Sequence, residues 1–179
     1  MDKTLADIEA QITKKRDFDS PPLHLWDPPL SGDISIRITA DGTWFHDGSK
    51  IEREALVRMF ASILRREDDG EYYLLTPVEK WRIEVELHPL MVTDVETVAH
   101  EKGELLRVTL NTAKQFNIGP EHPLFLEPIV GGIAAVELPH GLSALFTRAA
   151  WYRLVGMADD GAGNACVHSG AYSFSLESS

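Results

Sequence analysis

Apolar residues recur at helical spacing between Ile51 and Arg66. Ser49 stands where an N-cap belongs, and Glu52 follows three residues later as its capping-box partner. We therefore predict an amphipathic helix over Ile51–Arg66, whose apolar face needs a sheet to pack on. Five side chains share that face at i, i+3, i+4, i+7 and i+8 spacing: Leu56, Met59, Phe60, Ile63 and Leu64.

Alternation of apolar and polar residues predicts strands on both sides of this helix. Upstream, residues 33–38 alternate, and Asp41-Gly42 favours a two-residue hairpin turn before a returning strand at 43–46. Downstream, residues 72–76 are rich in β-forming side chains, and the alternation is clearest from Trp81 to Leu87. The stretch from 33 to 87 is thus predicted to fold as one sheet and one helix.

The second half of the chain repeats this order of elements. Strands are predicted at 90–95, 106–111 and 115–118, followed by a second striped helix over Leu142–Val155 and a last strand or hairpin near Gly170. We match strand 33–38 with 106–111, strand 43–46 with 115–118, and helix with helix. The predicted fold class is α+β, with two tandem structural repeats, each an antiparallel β-sheet packed by one main helix.

This pattern divides the chain into three parts. Residues 1–32 hold a short helix over Thr4–Ile12 and a proline-rich arm, residues 33–100 form the first repeat, and residues 101–179 form the second repeat with its C-terminal strand or hairpin. A cleft is expected where the two repeats meet.

Composition excludes several classes of protein. A net charge of -11 argues against a general nucleic-acid surface or an anionic-membrane surface, since both need clustered Lys and Arg. The single cysteine, Cys166, excludes an internal disulfide. No apolar stretch reaches the length of a membrane span, and the start of the chain, Met1 to Gln11, has no apolar core of signal-peptide length. We therefore expect a soluble, cytoplasmic protein.

Motifs for catalysis and cofactor binding are missing. The seven histidines are scattered, with no pair at metal-ligand spacing. Gly131-Gly132 lacks the lysine and hydroxyl residue of a phosphate loop, and Gly141-Leu142-Ser143 lacks the second glycine of a nucleophile elbow. We predict no catalytic residue, no metal and no cofactor.

Five polar or aromatic residues remain as candidates for ligand binding. Lys80 and Arg82 share one strand face, and with Arg37 they could receive a small anion; the alternative is a solvated, self-paired strand face. Trp44 beside that face could stack on the ligand, although burial under the helix explains it equally well. Glu79 has the strand parity of the apolar side; the alternative is a bulge at Pro77, where its carboxylate binds backbone amides.

Several stretches resemble a bacterial family known as domain-of-unknown-function family 1285. The first-half signatures are residues 41–46, Gly48, Arg53, residues 56–58, residues 71–80 and residues 82–83. The second-half signatures are residues 119–124 with Trp151-Tyr152. The resemblance covers roughly residues 26–174. It implies an α+β fold of two tandem repeats and suggests a ligand-binding or signalling role, and it brings no catalytic residues.

Two main functions follow as hypotheses, beside a third, a structural subunit with an obligate partner, which a large exposed apolar patch would favour. The first is a non-enzymatic module, in bacterial signal transduction, that binds a small anionic ligand or a protein partner between its repeats. The second is a hydrolase or transferase that uses Glu79 as general acid or base, with His46 or His122 nearby. The first is favoured because the chain shows no nucleophile, metal or cofactor signature.

Overall fold

The computed structural model describes residues 5–13 and 20–177, and these fold as two compact units. The first comprises residues 1–89 together with His140–Leu142, and the second comprises residues 90–139 and 143–179. No helix among the described residues is long and apolar enough to cross a membrane.

The first unit contains a six-stranded mixed sheet in the order β3-β2-β1-β6-β5-β4. The central pair, β1 and β6, is parallel, and the other neighbours are antiparallel. The predicted sheets were antiparallel throughout, so the parallel pair is a correction. The elements are α1 (Leu5–Thr13), β1 (Leu30–Ile38), β2 (Trp44–His46), β3 (Ser49–Lys50), α2 (Glu54–Ser62), β4 (Leu64–Arg66), β5 (Tyr72–Leu75) and β6 (Lys80–Val85).

Helix α2 is shorter than the predicted helix over Ile51–Arg66. It begins after Arg53, which gives no side-chain cap, because Ser49 pairs with His46 in the β2–β3 ladder. It ends at Ser62, because Leu64 and the two residues after it pair with β5. Four of the five residues of the apolar stripe are nevertheless buried, with Phe60 at 0% exposure, and Met59 is half-buried. Periodicity therefore identified the buried face, while strand pairing decided the ends.

The hairpin between β1 and β2 has three turn residues rather than the predicted two. The N–H of Thr39 donates to the Thr43 carbonyl, and the N–H of Gly42 donates to the Thr39 carbonyl. Gly42 alone has a positive φ, of 82°. Asp41 fixes this turn, because its carboxylate accepts hydrogen bonds from the Thr39 hydroxyl and the Thr43 N–H. These bonds hold the pKa of Asp41 below its usual value.

The second unit contains another six-stranded sheet, in the order β10-β11-β12-β7-β8-β9. Its central pair, β7 and β12, is again parallel. The C-terminal hairpin predicted around Gly170 is present as β13 and β14. The elements are β7 (Leu90–His100), β8 (Gly103–Leu110), β9 (Gln115–Asn117), β10 (Leu124–Glu127), β11 (Ile133–Glu137), β12 (Ser143–Phe146), α3 (Arg148–Gly156), β13 (Cys166–Ser169) and β14 (Tyr172–Ser175).

The two sheets have the same topology. When each set of six strands is numbered from its first, both follow the order third, second, first, sixth, fifth, fourth, with the first and sixth parallel. Two tandem α+β repeats are therefore confirmed, but the predicted correspondence is wrong by one strand, because β1 matches β7 rather than β8. The main helices also differ in position, since α2 follows the third strand of its sheet and α3 follows the sixth.

Two further expectations for the second half need correction. The predicted helix over Leu142–Val155 is instead strand β12 followed by α3, with Thr147 as the side-chain N-cap between them. Strands β10 and β11 were not predicted. The predicted boundary at His100 falls in the β7–β8 hairpin, because β7 pairs with β8 along most of its length and belongs to the second unit.

Candidate functional site: the outer face of the first sheet

Strands β1 and β6 present alternate side chains on opposite faces of the first sheet. Ile36, Ile38 and Ile83 lie on the buried face, which also carries Trp44. The alternate side chains of β1 and β6, which point away from the buried face, form what we call the outer face, and this face is polar. Its side chains include Asp33, Ser35, Arg37, Arg82 and Glu84.

A groove of about 910 Å³ lies on the first sheet. Its volume is within the range of small-molecule sites. Two of the five predicted ligand-binding residues, Arg37 and Arg82, line it, and Lys80, Trp44 and Glu79 do not. The full lining is Asp33, Ile34, Ser35, Ile36, Arg37, Thr39, Phe45, Gly48, Glu71, Arg82, Ile83 and Glu84.

Both arginines of the groove are paired with carboxylates. Arg82 Nε donates to Asp33 Oδ1 over 2.7 Å, and this bond raises the pKa of Arg82 above its usual value. Arg37 bonds Glu86, which also accepts the Ala40 N–H. The Arg37 hydrogen bond holds the pKa of Glu86 below its usual value. An anionic ligand at either arginine would therefore compete with a carboxylate of the protein.

Lys80 belongs to a separate charged cluster at the β4–β5 edge. Its Nζ lies 2.7 Å from Glu67 Oε1 and 4.8 Å from the Tyr73 ring centre. Burial raises the pKa of Glu67, but hydrogen bonds from Lys80 and Arg65 outweigh it and leave the pKa below its usual value. Arg65 also donates to the Leu23 and Trp26 carbonyls and so holds the proline-rich arm. Lys80 thus serves a structural network.

The structure places Trp44 in the core. Its side chain is 2% exposed and stacks on Phe60 of α2, with ring centres 6.5 Å apart and planes at 14°. Burial under the helix therefore explains this tryptophan, and it does not stand beside the groove to stack on a ligand. The aromatic residue that lines the groove is Phe45, which the sequence reasoning missed although its alternation with Trp44 placed it on the other face.

Glu79 lies in the tight turn before β6 rather than in the strand. Its N–H donates to the Thr76 hydroxyl over 3.0 Å, and its carbonyl accepts the Thr76 N–H over 2.9 Å. One oxygen of its carboxylate is buried. The residue has the surroundings of a hairpin turn and does not line the groove.

His46 is too far from Glu79 for the acid-base pairing considered above. Leu30 pairs with Lys80, whereas Ile36 pairs with His46, so the two groups flank opposite ends of β1. Strands β2 and β6 also lie on opposite sides of β1, so two strand spacings of about 4.8 Å each lie between them, which is already beyond direct proton transfer. His122 lies in the second unit, where Nδ1 is 3.2 Å from the Glu137 carbonyl oxygen. Among the described residues, no cluster of His, Cys, Asp and Glu has the arrangement of a metal site.

Family comparison agrees with the two-sheet architecture. One family model, the N-terminal domain of the DUF1285 domain of unknown function, matches residues 21–87, and a second, the C-terminal domain of the DUF1285 protein of unknown function, matches residues 89–176. The chain belongs to the DUF1285 family. The resemblance found in the sequence is confirmed, and the junction between the two family models coincides with the boundary between the compact units.

Two solved DUF1285 structures share this fold. A DUF1285 family protein from Silicibacter pomeroyi DSS-3 is 35% identical, with a TM-score of 0.85 over 97% of this chain and 94% of that one. A DUF1285 family protein from Shewanella baltica OS155 is 32% identical, with a TM-score of 0.58 over 69% of this chain and 91% of that one. No curated protein matches this DUF1285 chain.

Proposed function

We propose that this DUF1285 protein is a non-enzymatic binding module and that the groove on its first sheet takes a small charged ligand. The observation that carries the proposal is the groove itself, which has about 910 Å³ of space and five ionisable side chains in its lining: Asp33, Arg37, Glu71, Arg82 and Glu84. Charged groups that border a concave site fix the orientation of a ligand and give it specificity.

The rigidity of the sheet supports the same proposal. Most groove residues stand on β1, β2 and β6, which are paired in one sheet, so their spacing is set before any ligand arrives. A preorganised site loses less entropy on binding than a flexible loop does. The ion pairs Arg82–Asp33 and Arg37–Glu86 further restrict the two arginine side chains.

The sequence-based expectations of a sensing role in bacterial signal transduction and of a cytoplasmic location form part of this proposal. The lone Cys166 supports the location, because a chain without a disulfide suits a reducing compartment. The expectation of an anionic ligand is kept as one arm of the test, with Arg37 and Arg82 as its anchors.

A thermal-shift screen of charged metabolites tests the proposal. Ser35 lines the groove, so Ser35→Trp should fill it and abolish the rise in Tm given by any true ligand. Ser173→Trp, at an exposed strand position of the second unit, is the matched control and should leave that rise intact. The proposal is wrong if no compound of the panel raises the Tm, or if Ser35→Trp leaves the rise unchanged.

A further inference from the structure

Two glutamates of the groove lie next to the end of the β5–β6 ladder. Tyr72 pairs with Ile83 at that end, and Glu71 and Glu84 are the next residues on the two strands, so their positions adjoin just beyond the last pair. Both have the parity of Arg82 and both line the groove. Opposed residues of an antiparallel pair have Cβ atoms about 4.5–5.5 Å apart. Two carboxylates therefore face the same small volume.

Neither glutamate forms an ion pair with any residue that the structure describes. Arg37 is the register neighbour of Glu84 on β1, but its guanidinium bonds Glu86. Arg82 is within electrostatic range of Glu71, but its Nε bonds Asp33. Each cation of the groove thus already bonds one carboxylate, and the Glu71 and Glu84 carboxylates have no cation of their own among the described residues.

Such an arrangement has a cost in the free protein. Like charges next to each other across two strands destabilise the strand pair. A cation between the two carboxylates would reverse the sign of this term. An anion at the arginines would have to share a guanidinium that already bonds Asp33 or Glu86. Charge complementarity therefore favours a cationic ligand over the anionic one that the sequence predicted.

The rest of the lining defines the other part of the ligand. Phe45 pairs with Arg37 across β1 and β2, so it stands in the same transverse row as Glu84 and Glu71. Its ring offers an apolar surface and a cation–π face. This row suits a short aliphatic frame that carries an ammonium group.

We propose that the groove binds a small organic cation, with a primary ammonium group seated between Glu71 and Glu84 and its aliphatic frame extending along the row towards Phe45. This inference rests on the proposed function, because it assigns a charge and a chemical class to the ligand of that same groove.

The test compares two probes that share a four-carbon chain and differ in the sign of their charge. Putrescine and adipate are titrated calorimetrically into the full chain. The double variant Glu71→Gln/Glu84→Gln keeps side-chain shape and removes the pair, and Glu101→Gln/Glu104→Gln removes the same charge from exposed positions of the second unit. The control matters because a net charge of -11 attracts any cation weakly.

We expect saturable putrescine binding that weakens at least about tenfold in Glu71→Gln/Glu84→Gln, as loss of a charge-assisted bond implies, and is unchanged in the control. Without ligand, the groove variant should also melt at a higher temperature than the control variant.

Equal binding of putrescine by both double variants would overturn the inference. It would also be overturned if the chain bound the peptide tetralysine but did not bind putrescine, because the ligand would then not be a small organic cation. Saturable adipate binding that Arg82→Ala weakens would overturn the cationic class while supporting the proposed function. Binding of neither probe, combined with an empty metabolite screen, would overturn both.

Discussion

Replacement of Phe60 by alanine tests whether α2 is held by the packing described above. Phe60 is fully buried, and its ring stacks on Trp44 with centres 6.5 Å apart. The substitution removes the ring and leaves a cavity between α2 and the buried face of the sheet. The groove lies on the first sheet but is not lined by this residue, so the perturbation acts on the scaffold alone.

The expected loss follows from the buried ring. Truncation of a buried phenylalanine to alanine costs about 3–5 kcal/mol, the sum of lost transfer energy and the cavity. An aromatic pair contributes about 0.5–1.5 kcal/mol beyond area burial, which favours the upper part of that range. Since small proteins unfold with a free energy of about 5–15 kcal/mol, most of the stability of the first unit is at stake.

Urea unfolding followed by tryptophan fluorescence measures this loss. Three of the four tryptophans, Trp26, Trp44 and Trp81, lie in the first unit, so the signal reports mainly on its unfolding. The control is Arg58→Ala, an exposed position of the same helix, which should change the free energy of unfolding by no more than about 0.5 kcal/mol.

Equal unfolding midpoints for Phe60→Ala and Arg58→Ala would refute the packing of α2. A large loss of stability together with a changed slope of the free energy of unfolding against urea concentration would instead show that the variant no longer unfolds in a single step. The free energy of unfolding of α2 would then be measured by amide hydrogen exchange.

Three further predictions concern single positions. Ser169, 3% exposed, accepts a backbone N–H and donates to a backbone carbonyl, so Ser169→Ala should cost about 1–3 kcal/mol in urea unfolding, and the exposed Ser173→Ala almost nothing. Gly141 has φ 71° and a backbone oxygen 2.9 Å from the place a Cβ would take, so Gly141→Ala should lower the Tm more than Gly48→Ala, which has a similar φ of 78° but open space. The hydrogen bond to a carboxylate raises the pKa of Tyr73 to about 12, so its stabilising effect should be complete below about pH 10 and lost as pH rises through 12. The free-energy difference between wild type and Tyr73→Phe should therefore shrink over that window, and a pH-independent difference would contradict the assignment.

Side-chain periodicity predicted the faces of the elements better than it predicted their ends. The stripe of α2 and the alternation of β1 and β6 depend on local geometry, so the sequence identified which side chains of the first unit are buried. The ends of an element depend on whether a residue is more stable in the helix or paired with a strand. Residues 64–66 have a helical pattern, yet they gain more by pairing with β5, a partner that only the folded chain supplies.

The candidate site was partly visible in the sequence. Parity put Lys80 and Arg82 on one strand face, with Arg37 on a nearby strand, and the structure finds the two arginines in the groove but not Lys80. It could not show that each would be neutralised by a carboxylate from a neighbouring strand, because Arg82 and Asp33 are 49 residues apart. Glu71 was overlooked because it precedes the predicted strand, and its position next to Glu84 depends on the register between β5 and β6.

The sequence by itself determined the family, the two-repeat α+β class and the polarity of the faces of the alternating strands β1 and β6, since these follow from motifs and from periods of 2.0 and 3.6 residues. The tertiary structure decided the strand order, the parallel pair at the centre of each sheet and the charge balance of the groove. These depend on which distant segments pair and in what register, and no local pattern records that choice. One residue of slip would have exchanged the inward and outward side chains of a strand, and with them the groove.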